Sequence, residues 1–215
     1  MNLPNSITMS RIFCVPLLIW MLSRSFPLHS FYGEREILVS LLFILASITD
    51  GVDGYLARKR GQITTMGILL DPLADKLMVS GAYIALVEFN PNVVPAWIAV
   101  LVIGREFLVS GLRSIAASEG FTIEASELGK LKMVTQIVSV VAAILAHAWD
   151  YWRFGWFILP VHLIAVMAIY FMVLVSVISA TDYFVAFWSK IDRAAATHRK
   201  SSFILSRKKN ISTAK

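Results

Sequence analysis

The sequence predicts an all-α membrane protein, a single bundle of six transmembrane helices around a polar cavity that is open to the cytoplasmic side. Of its 215 residues, 57% are hydrophobic and 16% are charged, whereas soluble domains average about 45–50% apolar and about 25% charged residues. The apolar residues form six runs, and the charges that flank these runs recur at one end of the predicted helices. This composition excludes a disordered chain, a coiled coil and an ordinary soluble domain.

Six apolar runs set the positions of the helices. They are Ile12 to Leu22, Ile37 to Ile48, Leu77 to Phe89, Val93 to Ile103, Met133 to Trp149 and Trp156 to Ala180. Several runs are shorter than the roughly 20 residues that cross a bilayer. Extending each short run to that length always adds charged residues. With that extension, the second helix would cover Ile37 to Ala57 and reach about 31 Å at 1.5 Å per residue.

The added charges all lie on one side of the bundle, because successive helices alternate in direction. Arg11, Asp71, Asp75, Lys130 and Lys132 begin odd-numbered helices, and Asp50, Asp53, Arg105, Glu106, Arg113 and Asp182 end even-numbered ones. Each charge at membrane depth costs at least about 2.5–3.5 kcal/mol on insertion scales. A chain that only spanned the membrane would not carry this load, so we expect the cavity to be functional.

The basic residues predict the orientation. Of the 20 Lys and Arg residues, 17 fall on the cavity side, and Arg24, Arg35 and Arg153 fall on the other. Cytoplasmic loops carry the excess of basic residues, so both termini and the cavity are expected to face the cytoplasm, in an inner or plasma membrane. Two parts are predicted: a membrane domain over residues 1–189, and a cytoplasmic tail over 190–215 that holds eight of the basic residues.

Four aspartates predict a metal site. Asp50 and Asp53 are three residues apart, and Asp71 and Asp75 are four apart, so each pair shares one helical face. Four unpaired carboxylates in one cavity would repel each other. Oxygen-only ligands suit a hard divalent cation such as Mg²⁺, although an ion-pair network is the alternative. Pro72 suits the first position of the third helix, which would make Asp71 its N-cap.

Two further residues near these aspartates have alternative explanations. Gly54 lies inside a helix, where glycine costs about 1 kcal/mol relative to alanine. Close approach of a ligand explains its presence, and so does tight helix packing. Arg58 can bind a phosphate group by a bidentate contact, or it can be a positive-inside residue whose charge reaches the membrane surface.

The segment Asp50-x2-Asp53-Gly54-x2-Ala57-Arg58-x8-Gly67-x3-Asp71-x3-Asp75 resembles the signature of the CDP-alcohol phosphotransferases in every fixed position. The resemblance implies transfer of a phosphatidyl group from a CDP-linked lipid to an alcohol, with release of CMP. It also implies that the four aspartates hold two Mg²⁺ ions, with Mn²⁺ possible, that Asp75 is the catalytic base, and that the protein is a homodimer. The residues implied to bind the cytidine diphosphate are Asp50, Asp53, Gly54, Ala57, Arg58 and Gly67.

The acceptor is predicted from a second group of residues. Arg105, Arg113, Lys130 and Lys132 lie on the cavity side in the two helices without signature aspartates. Arg and Lys beside a metal site suit an acceptor that carries a phosphate. Three stretches also resemble the phosphatidylglycerophosphate synthases of that family: Asn2 to Arg11, Gly104 to Arg113 and Gly129 to Gln136. That resemblance implies CDP-diacylglycerol and sn-glycerol 3-phosphate as substrates, with Thr8 and Arg11 bordering the acceptor pocket.

Other functions are compatible with parts of this pattern. Phosphatidylinositol-phosphate, phosphatidylserine and cardiolipin synthases share the signature, and the last also uses a phosphorylated acceptor. An ion-coupled transporter would place acidic residues near the middle of the bilayer and on both sides. Here the acidic residues gather at one face, and no internal repeat is evident. The region from Trp149 onward carries no specific resemblance.

Overall fold

A computed structural model describes residues 3–23, 25–27, 32–60, 65–121 and 127–212. These residues form six helices and one short hairpin. In chain order they are α1 (Leu3–Leu22), α2 (Glu34–Arg60), α3 (Thr65–Phe89), α4 (Ala96–Ser118), α5 (Glu127–Ala148), β1 (Tyr151–Phe154), β2 (Phe157–Pro160) and α6 (Val161–Ser212). The predicted six helices are therefore present, and the hairpin is an addition to them.

The helices pack around one apolar core. α1 contacts α2 and α3, α4 contacts α3 and α6, and α5 contacts α2, α3 and α6. Each helix contributes a side chain that is at most 2% exposed, for example Leu18, Phe43, Tyr83, Ile98, Ile144 and Ile169. Directly after α3, Asn90 Nδ2 donates a 3.0 Å hydrogen bond to the Ala143 carbonyl of α5. This bond satisfies a buried amide and joins two helices that are far apart in sequence.

The hairpin replaces the predicted start of the last helix. The apolar run from Trp156 was expected to be helical throughout, but Phe157–Pro160 pairs antiparallel with Tyr151–Phe154. Gly155 has φ +59°, a conformation that glycine adopts without steric cost and that suits the first central position of a two-residue hairpin turn. The turn chemistry therefore outweighs the apolar pattern, and α6 begins only at Val161.

α3 begins earlier than predicted. Its first residue is Thr65, so Pro72 lies inside the helix and not at its first position. The prediction that Asp71 caps this helix is therefore wrong. The apolar residues at 66–70 extend the helical pattern upstream, and neighbouring helices can compensate for the backbone hydrogen bond that a proline removes.

Two helices in the described part of the chain are long and apolar enough to cross a membrane, as judged by length and composition. These segments are Leu131–Ala148 in α5 and Val161–Ile191 in α6, and a shorter apolar stretch, Met9–Leu22, lies in α1. α6 has 52 residues, which is about 78 Å at 1.5 Å per residue. It therefore continues well beyond its apolar segment and into the predicted basic tail.

Polar contacts at one end of the bundle join the end of α1, the start of α2 and the end of α5. Arg35 donates hydrogen bonds to the carbonyls of Met21 and Ser23, each 2.6 Å long. The next residue, Glu36, is buried, and its Oε1 lies 3.0 Å from Nδ1 of His147. These contacts fix the register of three helices at this end.

Candidate active site

A cavity of about 480 Å³ lies between helices α2 to α6. The described polar residues that line it are Ser47, Asp75, Lys76, Arg105, Glu106, Ser110, Arg113, Lys132, Gln136 and Tyr183. α3 and α5 contribute residues mostly from their first halves, and α4 mostly from its second half. Because these helices alternate in direction, the cavity lies toward one end of the bundle, away from Glu36 and His147.

A buried carboxylate organises two of the cavity's cations. Glu106 Oε1 forms ion pairs with Lys132 Nζ and with Arg105 Nη1, the second at 3.3 Å. Glu106 and Lys132 are each 8% exposed. A buried carboxylate needs such partners, since desolvation of an unpaired charge costs several kcal/mol. One negative charge shared by two positive charges leaves this cluster with a net positive charge.

Two hydroxyl groups of α6 contact the arginines of α4. Arg105 Nη2 donates a 2.7 Å hydrogen bond to Ser179 Oγ. Arg113 Nη2 donates to the Tyr183 hydroxyl, and its guanidinium carbon lies 4.7 Å from the centroid of the Tyr183 ring. The two arginines predicted to bind one ligand are thus held by adjacent turns of the same helix.

The predicted metal site falls partly outside the described residues. Asp75 is half-buried and lines the cavity, but the side chains of Asp50, Asp53 and Asp71 lie outside the described part. α2 is helical through Asp50 and Asp53, and α3 is helical through Asp71 and Asp75; that the four carboxylates meet around a metal ion stays a prediction. The described side chains contain no group of three His, Cys, Asp or Glu residues that could hold a metal ion.

Some of the predicted site residues line the cavity, and others lie elsewhere or outside the described part of the chain. Asp75, Arg105, Arg113 and Lys132 come together around one cavity. Arg11 is 2% exposed within α1 and is not among the described lining residues. Gly67 lies in the first turn of α3. The side chains of Thr8, Ala57, Arg58 and Lys130, and the surroundings of Gly54, lie outside the described residues.

Sequence reasoning missed the contribution of α6. Ser176, Ser179 and Tyr183 are at most 2% exposed and lie at positions i, i+3 and i+7, on one face of the apolar segment of α6. Polar residues at that spacing in an apolar segment were the available signal, because a buried hydroxyl requires a partner. The pairing of Glu106 with Lys132 was also not predicted, because it depends on how α4 and α5 are placed around the cavity.

A sequence profile of the family described as CDP-alcohol phosphatidyltransferase matches residues 1–188. The chain belongs to this family. The match extends through most of the apolar part of α6, and so includes Ser179 and Tyr183, whereas the resemblance found in the sequence alone reached only residue 136. The predicted family is confirmed.

Similar proteins within the CDP-alcohol phosphatidyltransferase family have a named reaction. A Bacillus subtilis (strain 168) protein named CDP-diacylglycerol–glycerol-3-phosphate 3-phosphatidyltransferase is 39% identical over 88% of this chain and 97% of its own length. A Wigglesworthia glossinidia brevipalpis protein of the same name is 30% identical over 90% and 98%. A Mycobacterium tuberculosis (strain CDC 1551 / Oshkosh) protein named probable phosphatidylglycerophosphate synthase is 34% identical over 85% and 79%.

Proposed function

We propose that this protein transfers the phosphatidyl group of CDP-diacylglycerol to sn-glycerol 3-phosphate, which gives phosphatidylglycerophosphate and CMP. The observation that carries the proposal is the meeting of Asp75 with Arg105, Arg113 and Lys132 around one cavity. An enzyme of this family needs a base that takes the proton from the hydroxyl group of the alcohol substrate. An alcohol substrate that carries its own phosphate also needs cations to bind that phosphate. Relatives that align with nearly their whole length carry the name of this reaction.

The cations select the class of acceptor. Among the described residues, Glu106 pairs with both Arg105 and Lys132, and Arg113 forms no salt bridge. The cavity therefore keeps a positive charge that an acceptor phosphate can neutralise. Guanidinium groups bind phosphate oxygens in a bidentate manner. A neutral or cationic alcohol, such as inositol, serine or choline, would leave that charge buried and uncompensated.

Asp75 is the proposed catalytic base. In the transfer step, the primary hydroxyl oxygen of glycerol 3-phosphate forms a bond to the phosphorus that carries diacylglycerol. The bond from that phosphorus to the CMP oxygen breaks, and CMP leaves with the electron pair. The acceptor's hydroxyl proton passes to the Asp75 carboxylate. Positioned groups of this kind contribute about 10²–10⁴-fold to rate, and fixing the acceptor beside the donor contributes more.

The four aspartates of the signature fit a divalent metal site. Asp50, Asp53, Asp71 and Asp75 would hold the ions, because all four offer oxygen ligands and their spacings of three and four residues within α2 and α3 favour one helical face for each pair. When bound, two divalent cations would neutralise the diphosphate of the donor and stabilise the attacking and leaving oxygens. Residues Gly54, Ala57, Arg58 and Gly67 would line the pocket for the cytidine diphosphate, and Thr8, Arg11 and Lys130 would border that of the acceptor.

A membrane location follows from the outer surface of the bundle. Every helix exposes large apolar side chains, for example Phe13, Leu45, Ile84, Val100, Val134 and Met167, each of which is more than half exposed. A soluble monomer rarely exposes so much apolar surface. We therefore propose that all six helices contact lipid, with the cavity and both termini on the cytoplasmic side. The homodimer stays a prediction.

Purified protein in detergent with CDP-diacylglycerol and MgCl₂ tests the proposed reaction. CMP release should require sn-glycerol 3-phosphate, and serine, inositol phosphate and phosphatidylglycerol should not replace it. Chelation with EDTA should abolish turnover, and added Mg²⁺ should restore it. Turnover with inositol phosphate, serine or phosphatidylglycerol in place of glycerol 3-phosphate would assign the protein to another branch of the family.

A further inference from the structure

α6 carries a buried stripe of hydroxyl groups. Ser176, Ser179 and Tyr183 lie on one face of the apolar segment of this helix, Val161–Ile191. Ser176 Oγ approaches the sulfur of Met172 at 3.4 Å, within the same helix. The next two hydroxyls instead accept hydrogen bonds from arginines of another helix, Arg105 and Arg113. The stripe therefore changes from a local contact to an inter-helix contact where it reaches the cavity.

The two hydroxyl groups differ chemically from the carboxylate of Glu106. A carboxylate partner orients a cation and also cancels its charge, as Glu106 does for Lys132. A hydroxyl oxygen accepts the hydrogen bond but is neutral, so the guanidinium keeps its full charge. Ser179 and Tyr183 can thus fix the two guanidinium groups without adding a counter-charge. Arg113 keeps its charge for an anionic ligand in the cavity, whereas Arg105 already shares the Glu106 carboxylate with Lys132.

Tyr183 has a second feature that suits this role. Its hydroxyl accepts a hydrogen bond from Arg113 and still has its own hydrogen to donate, and the residue lines the cavity. A Cβ atom on Gly129 would lie 3.4 Å from this hydroxyl, which is an ordinary van der Waals distance. The hydroxyl therefore lies beside the start of α5.

We infer that Ser179 and Tyr183 are positioning residues for acceptor binding: they hold Arg105 and Arg113 in place for the acceptor's phosphate without neutralising them. This inference rests on the proposed function for the identity of the acceptor. It gives α6, which has no signature residue, a part in acceptor affinity that acts through the two arginines. Preorganised cations lose less side-chain freedom when the anion binds, and this raises affinity.

Binding of sn-glycerol 3-phosphate to the purified protein, measured by isothermal titration calorimetry, tests the inference without turnover. Tyr183→Phe keeps the ring and removes the hydroxyl, and Ser179→Ala removes the other hydroxyl. Each should weaken binding about tenfold, the expected effect of one hydrogen bond to a charged group. Ser179→Thr keeps a hydroxyl and should bind more tightly than Ser179→Ala. The matched control is Ser176→Ala, which removes a buried hydroxyl from the same stripe and should bind as the wild type does.

A double-mutant cycle separates positioning from a merely structural role. In an Arg113→Ala background, Tyr183→Phe should have almost no further effect on binding, because the group that it positions is gone. In the turnover assay, the single variants should raise the KM for glycerol 3-phosphate and leave the KM for CDP-diacylglycerol unchanged.

The outcomes distinguish this inference from the proposed function. If wild-type protein bound glycerol 3-phosphate but released no CMP, the proposed reaction would be wrong. The binding affinities of the Ser179 and Tyr183 variants would still test the role of α6. If CMP release required glycerol 3-phosphate but Tyr183→Phe and Ser179→Ala bound it normally, or if the double-mutant effects simply added, the role of α6 would be overturned. If wild-type protein did not bind glycerol 3-phosphate, both would be overturned.

Discussion

The carboxylate of Glu106 on α4 binds the ammonium group of Lys132 on α5, in the wall of the cavity. Arg105 shares the same carboxylate oxygen. Lys132 therefore has a built-in counter-charge, whereas the described contacts of Arg113 are with the neutral Tyr183. Among Arg105, Arg113 and Lys132, Arg113 therefore offers the most available charge to an incoming anion, and Lys132 offers less.

Arg113→Ala should chiefly affect the acceptor. A hydrogen bond to a charged group is worth about 1.5–3 kcal/mol, so the KM for glycerol 3-phosphate should rise about 10- to 150-fold. The KM for CDP-diacylglycerol should change little. Steady-state kinetics with each substrate varied in turn measures this. An equal rise in both KM values would remove Arg113 from the acceptor pocket.

Asp75→Asn should abolish turnover and spare acceptor binding. The amide cannot accept the hydroxyl proton, so kcat should fall at least about 10²–10⁴-fold. Calorimetric titration should still detect binding of glycerol 3-phosphate, because the cations of α4 remain. The control is Asp75→Glu, which keeps a carboxylate and should retain more turnover than the amide. Near-normal turnover of Asp75→Asn would show that another group accepts the proton.

Glu106→Gln should destabilise the protein more than it changes acceptor specificity. It removes the counter-charge of two buried cations, and breaking a buried ion pair by removal of one partner costs about 3–5 kcal/mol. The rate of thermal inactivation in detergent should rise accordingly. Lys132→Met in the Glu106→Gln background removes one of the unpaired cations and should recover part of that loss. A double variant less stable than Glu106→Gln would contradict the pairing.

Contacts at the opposite end of the bundle should affect stability alone. Glu36 is 3% exposed, and its Oε1 atom lies 3.0 Å from Nδ1 of His147. Glu36→Ala and His147→Ala should each speed thermal inactivation, and a double-mutant cycle should give a coupling of about 0.5–3 kcal/mol. The KM for glycerol 3-phosphate should stay at the wild-type value in both variants. A changed KM would mean that this end is coupled to the cavity.

Gly33→Ala should also destabilise the protein. A Cβ atom at Gly33 would lie 2.1 Å from the Trp149 ring, and φ of Gly33 is +78°, a conformation that costs alanine roughly 1–2 kcal/mol before the clash is counted. Gly111→Ala is the control, since a Cβ atom there meets nothing within 4 Å. Thermal inactivation should be faster for the first variant and unchanged or slower for the second.

The sequence predicted the helices well because apolar runs mark buried or lipid-facing segments directly. It failed where local backbone chemistry decides the outcome, as at Gly155, where the chain turns into a hairpin, and at Pro72, which lies inside α3. Residues such as Arg105 and Arg113 were predicted to share a cavity because alternating helices bring their charged ends to one side, and both line it.

Contacts between helices could not be predicted in the same way. Ser179 reaches Arg105 only because α6 packs against α4 in one particular register. A single serine in an apolar run gives no indication of its partner, and one helical turn of sliding would change that partner. The same holds for Glu106, whose pairing with Lys132 depends on how α4 and α5 meet around the cavity.

The most direct test of the proposed reaction follows the acceptor into the product. Purified protein is incubated with CDP-diacylglycerol, MgCl₂ and glycerol 3-phosphate labelled in its carbon chain, and labelled lipid and CMP are both measured. One labelled phosphatidylglycerophosphate should form for every CMP released, and neither should form with Asp75→Asn. CMP release without label in the lipid fraction would contradict the account.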